Sequence, residues 1–117
     1  MELLTPSARQ LSSYGSSGVE LLRAALVREP QDGFAVDVVQ LAPGGSIGRH
    51  PTRLWLLFLV VSGRGWVSGA SGDRRPLRAG EAALWSPGED HTSGSDEGLT
   101  AVVVQCHVRP LAGEGAS

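Results

Sequence analysis

Glycine and proline interrupt this chain too often for long helices to form. Pro43-Gly44-Gly45, Gly63-Arg64-Gly65, Ser71-Gly72-Asp73 and Ser86-Pro87-Gly88 cut its middle into short segments. The breaks recur about every eight to twelve residues, which is the rhythm of a β-sandwich or barrel. Each Gly or Pro inside a helix costs roughly 1–3 kcal/mol. With 16 Gly and 7 Pro among 117 residues, the composition argues against a helical bundle and predicts an all-β fold. The length suits a single domain.

Between the breaks, the apolar patterns predict strands. Phe34, Val36 and Val38 share one face of a segment running to Ala42, and Asp37 interrupts the other face. Leu54 to Val61 is apolar at every position, as a strand covered on both faces would be. Gly63 and Gly65 predict a turn, with Trp66 to Ser68 returning from it. Arg74 to Ala79, Glu81 to Trp85 and the valine-rich Thr100 to Val108 complete the predicted strands. Residues 19–28 read as a further strand despite helix-favouring Leu and Ala. The organisation predicted is an N-terminal arm over 1–18, with one helical turn begun by Thr5-Pro6, a barrel over 19–108 and a disordered tail over 109–117.

Charge and cysteine content narrow the chemistry. All ten basic residues are Arg, and 12 acidic residues give a net charge of -2. That balance supplies no basic footprint for nucleic acid. Cys106 is the only cysteine, so neither an internal disulfide nor a cysteine-rich zinc site can form. Met1 to Pro6 has neither the basic nor the apolar region of a signal peptide. Leu54 to Val61 falls far short of the roughly 20 apolar residues that span a bilayer. A cytoplasmic protein with no membrane partner is expected.

His50 and His91 each follow a glycine turn, and in a rolled sheet they can meet. Gly44-x5-His50-x-Thr52-x3-Leu56-x6-Gly63 has the spacing of the first cupin motif, G-x5-H-x-H-x3-E-x6-G. Gly80-x5-Ser86-Pro87-Gly88-x2-His91-x3-Ser95 follows the second, G-x5-P-x-G-x2-H-x3-N, with its proline one place late. Residues 64–79 form the short gap between them. Over 44–95 the chain thus resembles a small single-domain cupin of the RmlC-like superfamily. The flanking strands extend that resemblance over 19–108. It implies a double-stranded β-helix, or jelly-roll barrel.

Metal-binding cupins supply three His and one Glu to Fe, Mn, Ni, Cu or Zn. In this chain Thr52 replaces the second histidine and Leu56 the glutamate. A hydroxyl is a poor ligand for such ions and leucine offers none. The family's metal site is therefore expected to be degraded or absent, leaving His50 and His91 as the remaining candidates for a divalent transition metal. Three readings of the pair stay open. They are inherited barrel residues bonded to backbone, Thr52 or water; donors to a small molecule; or two ligands of a metal completed by a nonstandard group.

Alternation from the Leu56 position sends Leu54, Leu56, Phe58 and Val60 inward and Trp55, Leu57, Leu59 and Val61 outward. The expected ligand-binding set is His50, Thr52, Leu56, Phe58, Trp85 and His91. Trp66 and Trp85 are candidates for the barrel mouth or for core filling. Arg49 and Arg53 are candidates to pair with an anionic ligand or with nearby carboxylates such as Glu89 and Asp90. The outer apolar face needs a cover, from a second subunit in a homodimer or from the arm. The leading expectation is a cupin that binds an unidentified small molecule. The alternatives are a metal-dependent dioxygenase- or isomerase-like enzyme using His50 and His91, and a noncatalytic dimer with a packed barrel.

Overall fold

The computed structural model describes residues 1–6, 8–11, 19–22, 25 and 33–110. Its ten strands are β1 (Glu2–Leu4), β2 (Ala8–Leu11), β3 (Val19–Leu22), β4 (Phe34–Leu41), β5 (Ser46–Pro51), β6 (Trp55–Ser68), β7 (Arg74–Arg78), β8 (Ala82–Trp85), β9 (Asp90–Gly94) and β10 (Leu99–Cys106). One wall has the order β1-β8-β6-β10-β4, and every pairing in it is antiparallel. The other wall pairs β5 with β9, β9 with the second half of β6, and β6 with β7. Two walls joined through a shared strand make the jelly roll that the cupin resemblance implies.

The joining strand corrects one expectation. Gly63 and Gly65 do not form a hairpin turn, because Trp55–Ser68 is one strand of 14 residues running through both. Its first half pairs with β8 and β10, its second with β7 and β9. The glycines let it turn the corner between walls. Gly63 has φ +78, and a Cβ there would sit 2.3 Å from the Gly98 carbonyl oxygen. At Gly65 a Cβ would lie 2.2 Å from the Gly94 oxygen. What looks like punctuation is a site of close backbone approach.

The N-terminal segment also differs from expectation. Thr5 and Pro6 are not helical, and Ala8–Leu11 is a strand paired with β3. Of the predicted 19–28 strand, Val19–Leu22 forms; residues 23, 24 and 26–28 lie outside the described set. Glu2–Leu4 joins the edge of the barrel against β8. The Met1 ammonium donates to Glu89, whose carboxylate also accepts the N–H groups of Ala70 and Ser86. Burial pushes the Glu89 carboxyl up, but these donors outweigh it and hold it low.

Strand alternation divides the core as expected. Leu56, Phe58, Val60, Val67, Leu77, Trp85, Ala101 and Val103 pack inside the barrel. Leu57, Ala82 and Leu84 pack on the outer face beneath Leu4, Ala25, Trp55, Leu59 and Val104. Leu57 is fully buried, which is worth about 1.5–3 kcal/mol. Within one chain, therefore, the N-terminal region covers part of that face. Phe34, Val36 and Val38 of β4 remain exposed.

Two residues assigned to the tail are docked. Pro110 is fully buried, and Arg109 forms a two-pronged ion pair with Glu2 at 2.6 and 2.8 Å. The guanidinium holds the Glu2 carboxyl below its usual range. Residues 111–117 lie outside the described set. Cys106 is buried, donates to the Val108 carbonyl, and has its thiol pKa raised by burial. No helix among the described residues is long and apolar enough to cross a membrane.

Candidate functional site

The two histidine-bearing segments pair with each other. Pro43-Gly44 forms the expected turn into β5, and the Ser86-Pro87-Gly88 turn leads into β9. Gly44 and Gly88 both take positive φ, as do the other motif glycines, Gly63 and Gly80. His50 then stands directly opposite His91 in the ladder. Their ring centroids are 4.4 Å apart. The His50 Nδ1–H is placed to donate to the Gly48 carbonyl at 2.7 Å, which leaves the Nε2 lone pair available.

A cavity of about 250 Å3 opens at this end of the barrel. His50, Leu56, Phe58, Trp85 and His91, all in the set read from the sequence, line it. Thr52 does not. It is buried away from the lining, where its hydroxyl donates to the Leu54 carbonyl and its backbone bonds to Gly88 and Glu89. A short hydroxyl whose hydrogen bond is met locally has no reason to reach the cavity.

Six lining residues went unassigned in the sequence: Asp37, Val39, Ile47, Ser93, Val103 and Gln105. Five were findable by extending the alternation beyond β6. Ser93 is two residues past His91, while Asp37 and Val39 share the inward face of β4. Val103 and Gln105 share the inward face of β10, and Val103 is in register with Asp37. Ile47 was not findable in this way, because β5 carries an extra residue between Ile47 and His50.

The aromatic groups stack in depth. Trp85 is fully buried, donates its Nε1–H to the Ser68 carbonyl, and lies 4.8 Å from His91 and 6.1 Å from Phe58 between ring centroids. Trp66 is not at the mouth. It lies on the outside of the barrel with the Arg74 guanidinium 3.7 Å from its ring centroid. Arg49 turns away to the Gly69 and Ala70 carbonyls, and its guanidinium is 3.9 Å from Asp90. Neither Arg49 nor Arg53 lines the cavity.

His91 is the electrostatically perturbed member of the site. Only 5% of it is exposed, and its Nδ1 has no hydrogen-bond partner among the described residues. Burial first, then the neighbouring His50, push its pKa below the ordinary histidine value. The carbonyls of Glu89 and His50 and the Glu89 charge act weakly the other way. The donor set does not fit a three-His, one-Glu metal centre. Leu56 presents carbon, Thr52 is bonded elsewhere, and among the described residues no group of three His, Cys, Asp or Glu could hold an ion.

Solved structures with this architecture agree on the fold. An RmlC-like cupin from Shewanella frigidimarina superposes with a TM-score of 0.60 at 21% identity, covering 65% of this chain and 68% of that one. A Cupin 2 conserved barrel domain protein from Salinispora arenicola gives 0.56 at 27% identity over 68% and 71%. A protein from Klebsiella pneumoniae with a double-stranded β-helix domain gives 0.60 at 22% identity over 80% and 81%. No family model and no curated protein matches the chain.

Proposed function

We propose that this chain, a small single-domain cupin, binds a small molecule in the barrel cavity at His50 and His91, without a resident metal of the family type. The observation that carries this reading is the cavity of about 250 Å3, with apolar walls and convergent polar groups. Ligand sites combine those two properties, and pockets for drug-sized ligands span roughly 300–1,000 Å3. A smaller molecule suits this one. Phe58, Trp85, Leu56 and Val103 offer apolar contact, while His50, His91, Ser93 and Gln105 offer hydrogen bonds.

The open space counts against a barrel packed solid. The metal-dependent enzyme reading lacks a clustered donor set, since among the described residues no three His, Cys, Asp or Glu stand close enough together to hold an ion. The proposal also includes a homodimer, with a second copy against the exposed apolar residues of β4.

Saturation-transfer NMR with benzyl alcohol tests the reading. Transfer to the ring protons is expected with the native chain, and is lost when Phe58→Trp or Val103→Phe fills the cavity in a variant that keeps its thermal transition. No transfer, or transfer unchanged in both folded variants, overturns it.

A further inference from the structure

Among the described residues the cavity wall carries one carboxylate, Asp37, and no arginine, and the chain has no lysine. Arg49, next to His50 in the chain, is engaged on the Gly69 and Ala70 carbonyls. Asp37 itself has no hydrogen bond or ion pair among the described residues. An unpaired carboxylate beside an apolar wall repels carboxylates and phosphates and attracts a cation.

Its placement follows from the strand. By alternation along β4, Asp37 lies on the cavity side with Val39, and its side chain stays exposed to solvent at the opening. Across the ladder, Asp37 is in register with Val103, and Gln105 lies two residues further along β10. Side chains so related on one sheet face are diagonal neighbours, close enough for both to contact one ligand group. The Gln105 amide oxygen thus supplies a second acceptor near the Asp37 carboxylate. Phe58 and Trp85, both almost wholly buried, line the same cavity and favour a flat apolar body there.

The geometry points to a small organic amine as the ligand class: a protonated ammonium at Asp37 and Gln105, with an apolar or aromatic body against Phe58 and Trp85. This rests on the cavity being a binding site, which the proposed function already holds. An inward charge on an edge strand also serves to block unwanted strand pairing; in that role Asp37 would not distinguish among ligands.

Benzylamine, benzyl alcohol and benzoate share a ring and differ in charge. Titrating each into the full chain at neutral pH, followed by amide chemical shifts, separates the possibilities. Benzylamine is expected to bind about 5- to 10-fold more tightly than the alcohol, with benzoate weakest, as one charge-assisted bond predicts. Asp37→Asn, which keeps the side chain's shape, should bring the amine down to the alcohol's affinity. Equal binding of amine and alcohol, or an amine affinity unchanged in Asp37→Asn, overturns the amine assignment and leaves cavity binding standing. Silence from all three probes overturns both.

Discussion

Ile47 and His50 lie three residues apart on β5, yet both face the same cavity. Strict alternation would send them to opposite faces. A bulge resolves this: three steps along β5, from Ile47 to His50, match only two along β9, from Ser93 to His91. The extra residue re-aims His50, and the Gly48 carbonyl within the bulge accepts its Nδ1–H. Deleting Gly48 should straighten the strand yet keep His50 on the cavity face, because His50 then lies two residues from Ile47 and still opposes His91. His50→Gln removes the imidazole instead. The His91 pKa, followed by imidazole NMR, should then rise because a neighbouring positive charge is gone. An unchanged value would show that His50 does not act on His91.

Stability should depend on pH through His91. Its folded pKa lies below the unfolded value of about 6.5. Below that value the unfolded chain takes up a proton that the folded chain does not, so acid favours unfolding. The thermal midpoint is therefore expected to fall as pH drops from about 7.5 to about 5.5, levelling off once the folded imidazole also protonates. His91→Gln should flatten this limb. The contribution of Glu2 and Glu89, whose folded pKa values are lowered, is lost only in more acidic solution.

Two glycines with similar backbone angles should respond differently to alanine. Gly72 has φ +82 with nothing near its missing Cβ, so Gly72→Ala should cost about 1 kcal/mol of backbone strain. At Gly63 the same strain comes with a backbone clash at the barrel corner. Gly63→Ala should lose at least about 2 kcal/mol more, or fail to fold, since the main chain must shift. Denaturant titration of both variants checks the ranking.

The outer face makes separable predictions for arm and partner. Leu4 helps cover Leu57 and Leu84, so Leu4→Ala should cost about 1–2 kcal/mol. The exposed Phe34, Val36 and Val38 are the expected dimer contact. Sedimentation should show a dimer that Val38→Asp converts to monomer without unfolding. A native chain that stays monomeric at high concentration would remove the second copy from the account.

Metal content distinguishes the proposed function from the enzyme alternative. Protein purified without a histidine tag should carry well under one equivalent of iron, manganese, nickel, copper or zinc. A near-stoichiometric ion that is lost in both His50→Ala and His91→Ala would contradict the donor-set argument.

The sequence carried the architecture because turns and strand phase are local. Phe34 to Ala42, Arg74 to Ala79 and Thr100 to Val108 stand close to observed strands. β5 and β9 were illegible as strands because polar, turn-flanked residues show no alternation, although the motif located their histidines. The continuous β6 was misread because glycine at a sheet corner resembles glycine in a hairpin. Thr52 was placed in the cavity by its motif slot, but its hydrogen bond to Leu54 takes it elsewhere. Asp37 was visible only as an interruption in an apolar pattern. Its meaning depends on β10 and the opposite wall, which are distant in sequence.

Residue-resolved mapping of benzyl alcohol on the full chain tests the central claim most directly. The account predicts that the largest shifts fall on the Trp85 indole N–H, the His50 and His91 rings, and the Ser93, Val103 and Gln105 amides. Shifts confined to the outer Trp66–Arg74 surface, or no shifts at millimolar probe, would contradict binding in the barrel.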